Sequence, residues 1–183
     1  MEHLHTTAST PTPELGVIRA ALGATMTPSS QSVGSTPIGF VALYRDRYDA
    51  MVRLAVLLVD HQDQAEEIVQ DSFAAVYERW EHVDVPAAYV RTVVVNRCRD
   101  AQRRRRIAAA ITLGRVHDTV EPTGDLLHDA LATLPSRQRA ALILRFYEDL
   151  PNDEVARLLK TRPGTVKSLV HRGLSTLREV IEQ

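Results

Sequence analysis

From Phe40 onward, apolar residues recur at spacings of three and four, and no stretch of useful length alternates with period two. Phe40, Val41, Leu43, Tyr44, Tyr48, Met51, Val52, Ala55 and Leu58 predict one amphipathic helix. Beyond Asp60-His-Gln-Asp63, the residues Ala65, Ile68, Val69, Phe73, Val76, Tyr77 and Trp80 predict a second. Pro86 breaks the chain, and Tyr89, Val90, Val93, Val94 and Cys98 mark a third that runs into Arg106. Residues 107–124 hold no period and include Gly114, Pro122 and Gly124, which reads as a flexible linker. Helical spacing resumes at Asp125, with Leu131, Leu134, Ala141, Leu142 and Phe146 packing the C-terminal part. The fold class is therefore all-α: two small helical domains, residues 38–106 and 125–183, joined by a linker. Residues 1–37 are rich in Thr, Ser, Pro and Gly and read as a disordered tail. Whether Met26 is the true start is open.

The last third holds the sharpest pattern. Leu150-Pro-Asn152 ends one helix and offers Asn152 as the N-cap of the next, whose apolar face is Val155, Ala156, Leu158 and Leu159. Lys160-Thr161-Arg162 is a short polar connection. Pro163 suits the first position of a following helix, where its missing N–H costs nothing. Val166, Leu169, Val170, Leu174, Leu177 and Val180 must face a core, leaving Thr165, Lys167, Ser168, His171 and Arg172 on the opposite face. A helix–turn–helix presents this part of its second helix to base edges in the major groove.

Charge sharpens the picture. The formal net charge is −1, yet the charges are segregated. From Asp60 to Asp84 there are eight acids against one base, Arg79; from Ala87 to Arg106 there are seven arginines against one acid, Asp100. An acidic segment followed by a basic one implies two different partners. The single cysteine, Cys98, lies among valines, reads as a small buried apolar group and fits a reducing compartment. The seven histidines show no ligand spacing, so no metal or cofactor is expected. No secretory signal or spanning apolar run is visible, so a cytoplasmic protein without membrane insertion is expected. Phosphate loops, nucleophile motifs and paired carboxylates are missing as well, so no enzyme is expected.

Three stretches together resemble the extracytoplasmic-function (group 4) sigma factors of bacterial RNA polymerase, most of all the actinobacterial SigE-type members. Asp63 to Trp80, DQAEEIVQDSFAAVYERW, resembles the family's helix that docks on the clamp coiled coil of core polymerase. The resemblance implies docking by Glu66, Glu67, Gln70 and Asp71. Pro86 to Arg106, PAAYVRTVVVNRCRDAQRRRR, resembles the promoter −10 segment of region 2, preceded by a loop, Glu81 to Pro86, that matches the pocket for a flipped base. Tyr89, Arg91, Asn96, Arg97, Arg99 and Arg103 are the implied −10 contacts, and the arginines imply a steep salt dependence. The helix–turn–helix resembles region 4 and its −35 readout, implying contacts from Arg162, Thr165, Lys167, Ser168, His171 and Arg172. Arg172 is the strongest candidate for a bidentate guanine contact or a phosphate clamp.

The resemblance further implies a dissociable subunit that gives core polymerase its promoter choice and promotes −10 melting. Promoter DNA, the polymerase clamp and flap, and an anti-sigma factor are the implied partners, with a monomer when free. The rival is a stand-alone dimeric helix–turn–helix regulator, which accounts for the last third but not for the acidic and RRRR helices. An RNA-binding regulator driven by the basic helix is a third reading. An 18-residue linker spans at most about 60 Å, on the order of 17 base pairs.

Overall fold

The computed structural model describes residues 37–111 and 126–182, so the expected tail up to Thr36 and the linker from residue 112 lie outside the described residues. The N-terminal half has three helices: α1 (Ile38–Val59), α2 (Gln62–Glu78) and α3 (Pro86–Ile111), with a 3₁₀ turn, Trp80–His82, before α3. The C-terminal half has α4 (Leu126–Ala132), α5 (Ser136–Leu142), a π turn (Ile143–Tyr147), α6 (Asn152–Leu158) and α7 (Pro163–Ile181). Among the described residues there is no strand.

The three N-terminal helices pack around Met51, Leu54, Leu58, Ile68, Val69, Phe73, Val76, Val90, Val94, Val95 and Cys98, all buried. Most of these are the residues whose spacing predicts the apolar stripes. At one end the rings of Phe40, Tyr77 and Trp80 meet edge to face, with centroids 5.0 and 5.6 Å from Phe40, an arrangement favoured by the ring quadrupoles. Gly39 permits this approach, because a Cβ there would lie 3.0 Å from Trp80 Cζ2. Burial, then the neighbouring Tyr48, lifts the Tyr44 hydroxyl to about 12. A single buried apolar cluster continues from this core into Ala141, Ile143, Leu144, Leu150, Val155, Leu159 and Val166 of the second half.

Four local features differ from the sequence-based expectations. Helix α3 continues to Ile111, five residues beyond Arg106, because the sequence there holds no helix breaker before Gly114 and favours helix over linker. Asn152 is the first helical residue of α6 and makes no capping bond; Pro151 holds the cap position at ψ 153°. Leu174 is 44 % exposed, while Gly173 takes the buried place in the stripe Val166, Leu169, Val170, Gly173, Leu177. Phe146 is 59 % exposed and does not pack the second half; the π turn carries it outward.

Gly173 has a steric reason. A Cβ there would sit 2.8 Å from Cδ1 and 3.2 Å from Cγ of the buried Leu142. Gly173→Ala should destabilise the fold by about 1–3 kcal/mol despite alanine's better helix propensity. In chemical denaturation the double variant G173A/L142A should lose less than the sum of the two single variants. Strictly additive losses would show that the two side chains do not compete for that space.

Candidate nucleic-acid interface

The helix–turn–helix is built around Val155, Ala156, Leu158, Leu159, Val166 and Leu169, which are buried between α6, α7 and the rest of the second half. Its turn closes α6 with paired backbone bonds: Thr161 N–H donates to Ala156 O at 2.9 Å and Lys160 N–H to Arg157 O at 3.2 Å. This double closure requires a left-handed residue, usually glycine. Lys160 occupies it at φ 49°. Arg162 then caps α7 in extended conformation, with Pro163 in the first turn.

All six residues of the expected −35 set lie on one exposed surface. Arg162, Thr165, Lys167, Ser168, His171 and Arg172 are exposed at the start and along the first half of α7. Ser168 Oγ donates to Gly164 O at 3.2 Å and Arg172 Nε to Ser168 O at 3.2 Å, which keeps both side chains along the helix. Among the described residues, no carboxylate lies in salt-bridge range of Arg162, Lys167 or Arg172. A row of unopposed cations beside short hydroxyls on an accessible helix suits a polyanion with readable edges.

The basic helix α3 is differently placed. Val90, Val94, Val95 and Cys98 are buried in the core, and the arginines near them leave the helix in different directions. Arg91 does not stand free: Nη2 donates to Glu154 Oε1 at 2.7 Å and Nη1 to Glu148 Oε2 at 3.4 Å, with its side chain 17 % exposed. Arg99 Nη1 donates to the Leu158 carbonyl at 3.0 Å, and burial, followed by the nearby Arg137, lowers its guanidinium from the ordinary value. Arg103 pairs with Asp100 at 3.5 Å, largely in solvent. Arg97 pairs with Asp71 at 3.0 Å, so an expected DNA contact and an expected polymerase contact hold each other.

Tyr89 and Asn96 are half-buried and line a cavity of about 650 Å³ together with Asp84, Val85 and Thr92. This cavity lies beside the loop 81–86, and Glu154, Arg157 and Lys160 form its other wall. In the expected docking set, Glu67 and Asp71 are exposed on α2. Glu66 accepts a bond from Gln62, and Gln70 donates to the Tyr48 hydroxyl at 3.4 Å.

Two polar groups of consequence went unread in the sequence. Arg139 is buried and pairs with Asp60, while donating to Ala132 O at 3.2 Å; His128 Nε2 lies 4.0 Å from the same Asp60 carboxylate. Glu148 and Glu154 are the other pair. Their shared partner Arg91 lies 57 and 63 residues away, where no local pattern reaches. The left-handed φ of 67° at Asp60 is visible only in the folded chain.

The sequence matches Sigma-70 region 2 over residues 43–107 and Sigma-70, region 4 over residues 124–177. It is 35 % identical over 152 residues to the RNA polymerase sigma-E factor of Streptomyces antibioticus, covering 78 % of this chain and 84 % of that protein. The sigma-E factor of Streptomyces coelicolor is 34 % identical, covering 76 % and 84 %. The chain belongs to the extracytoplasmic-function sigma factors. Two solved structures share its fold. The sigma factor RpoE of Bartonella quintana, crystallised with the anti-sigma factor NepR, superposes with a TM-score of 0.65 at 21 % identity, covering 79 % of this chain and 97 % of that one. CnrH, in complex with the cytosolic domain of CnrY, gives 0.60 at 21 % identity, covering 90 % and 94 %.

As a sigma factor, the protein directs RNA polymerase to promoters. The region 2 match takes in most of α1, α2 and most of α3, and the region 4 match the helices from α4 into α7. No described helix is long and apolar enough to cross a membrane. Cys98 sits between Arg97 and Arg99 but faces the region 2 core, and burial pushes its thiol up to about 12. The folded state therefore holds the neutral thiol, and its contribution to stability is lost as pH rises above the unfolded value. In the native sigma factor at pH 8, a thiol-specific chromophore should leave Cys98 unmodified while labelling the denatured chain within minutes. Equal labelling rates in both states would contradict the burial.

Proposed function

We propose that each helix set has its own share of promoter selection: α2 docks on core polymerase, α3 with the loop 81–86 opens and holds the −10 element, and α7 reads the −35 element. The −35 assignment rests on the single observation that carries most weight, the accessible row Arg162, Lys167 and Arg172 without a carboxylate partner among the described residues. Thr165, Ser168 and His171 stand in the same row and supply short hydrogen-bonding groups to base edges or phosphates.

For the −10 element, the cavity beside Asp84, Tyr89 and Asn96 has room for one unstacked base. Arg97, Arg99 and Arg103 continue along α3 as successive phosphate contacts. On α2, the exposed carboxylates Glu67 and Asp71, with Glu66 and Gln70 beside them, form an acidic strip suited to a basic coiled coil. Such complementarity fixes orientation and on-rate more than raw affinity. An anti-sigma factor as a further partner is supported by the solved RpoE complex, whose sigma factor shares this fold. The protein acts as a monomer in the cytoplasm, and polymerase performs all the chemistry.

Run-off transcription with purified core polymerase tests the reading. Adding the protein should produce promoter-specific transcripts that core alone does not make. Lys167→Ala with Arg172→Ala should cut −35-dependent transcription at least tenfold, since each base or phosphate contact is worth about 1–3 kcal/mol, while core binding stays intact. Unchanged promoter use would remove α7 from the −35 contact. Glu67→Lys with Asp71→Lys should weaken core binding without a shift in melting temperature; normal assembly would take α2 out of the polymerase interface.

A further inference from the structure

Five cations converge on one cleft where a single carboxylate is available. Arg99, Arg103 and Arg106 follow one another at spacings of four and three along one face of α3 and line a cleft of about 470 Å³. Arg137 of α5 and Lys160 of the turn after α6 line it from the C-terminal half. Asp100 is the one carboxylate among the lining residues, and it already pairs with Arg103 at 3.5 Å. Among the described residues, no carboxylate lies in salt-bridge range of Arg106, Arg137 or Lys160. Burial, followed by the like charge of Arg137, already lowers the Arg99 guanidinium. A recess lined by one sign of charge focuses its field, and an anion that enters it gains from every wall at once.

The chemistry of the walls selects the anion. Guanidinium groups present parallel N–H donors that match pairs of phosphate oxygens. From Arg99 to Arg106 the helix rises about 10 Å, farther than one phosphate can bridge but within reach of several linked ones. Asn96 and Ser136 add neutral hydrogen-bonding groups to the lining, and Ala140 and Leu159 are its apolar members. The volume falls within the roughly 300–1,000 Å³ of small-molecule sites.

We propose that this cleft binds a small polyphosphate anion, such as tripolyphosphate or the triphosphate of a nucleotide, between Arg99, Arg103 and Arg106 on one side and Arg137 and Lys160 on the other. The bound phosphates supply the negative charge that the cleft lacks. Because the neutralised cations come from both halves, the ligand stabilises the fold that brings them together. Arg99 and Arg103 also belong to the −10 reading, yet a small anion binds here without DNA, so the site stands apart from that assignment.

Calorimetric titration and thermal melting of the full-length protein, at fixed ionic strength and without divalent cations, test the site. The probes are inorganic tripolyphosphate, ATP and inorganic phosphate. Tripolyphosphate should occupy one site and bind at least about tenfold tighter than inorganic phosphate, because it reaches several guanidinium groups at once. ATP at the affinity of tripolyphosphate would assign recognition to the phosphates alone, and tighter ATP binding would assign it to a nucleotide; both outcomes support the site. R106A/R137A should bind tripolyphosphate at least about tenfold more weakly than wild type. Its melting temperature without ligand should hold or rise, since like charges have been removed, while the ligand-induced rise seen in wild type should vanish. R104A/R178A removes the same charge outside the cleft and should bind tripolyphosphate within about twofold of wild type. Equal affinity for tripolyphosphate and inorganic phosphate, or equal losses in the two double variants, would reveal diffuse attraction to a basic surface and overturn the site. Wild-type affinity in R106A/R137A would overturn it as well.

Discussion

Helix α3 has to satisfy two incompatible surroundings at once, and the rest of the architecture follows from how it does so. Val90, Val94, Val95 and Cys98 lock one side into the region 2 core, which leaves no rotational freedom for the arginines between them. Arg91 and Arg99 then emerge toward the second half, Arg97 toward Asp71 of α2 and Arg103 beside Asp100 in solvent. A charged side chain emerging beside a protein surface finds an anionic partner or remains in water. Glu148, Glu154 and the carbonyl end of α6 are such partners. This rigid geometry makes α3 a dock for region 4.

The periodic part of this fold was legible in the residues. Spacing alone located the stripes of α1, α2 and α3, the turn at Lys160-Thr161-Arg162 and the proline at the head of α7, because each is a local rule. Where the reading erred, two local rules competed. Leu174 outweighed Gly173 on hydropathy, although Gly173 holds the position that keeps spacing with Leu169 and Leu177; the reason is the close approach of Leu142, which no local pattern reports. Asn152 is a good capping residue on paper, yet Pro151 already supplies the extended entry to α6.

The candidate site was legible by residue type but not by the partners its side chains hold in the fold. That Lys167, Ser168, His171 and Arg172 share an exposed surface follows from helical geometry. That Arg91 is held by two glutamates does not, since the partners are distant in the chain and meet only because region 2 and region 4 share one apolar cluster. The ion pair of Asp60 with Arg139 is similar: an acid in a helix–helix turn looks like solvent-facing punctuation until the second half covers it.

The π turn at Ile143–Tyr147 has a consequence for the angular phase of region 4. Its wider loop, closed by Glu148 N–H on Ile143 O at 3.1 Å, accommodates one residue more than an α-helix would over the same rise. Each residue of an α-helix turns the chain by about 100°, so this extra residue resets the direction in which everything beyond it leaves α5. Removing it would rotate Glu148 away from Arg91 and turn α7 relative to the α5 axis in the same stroke. Phase along a single helix thereby links where region 4 rests on its own chain to how it is aimed at the promoter.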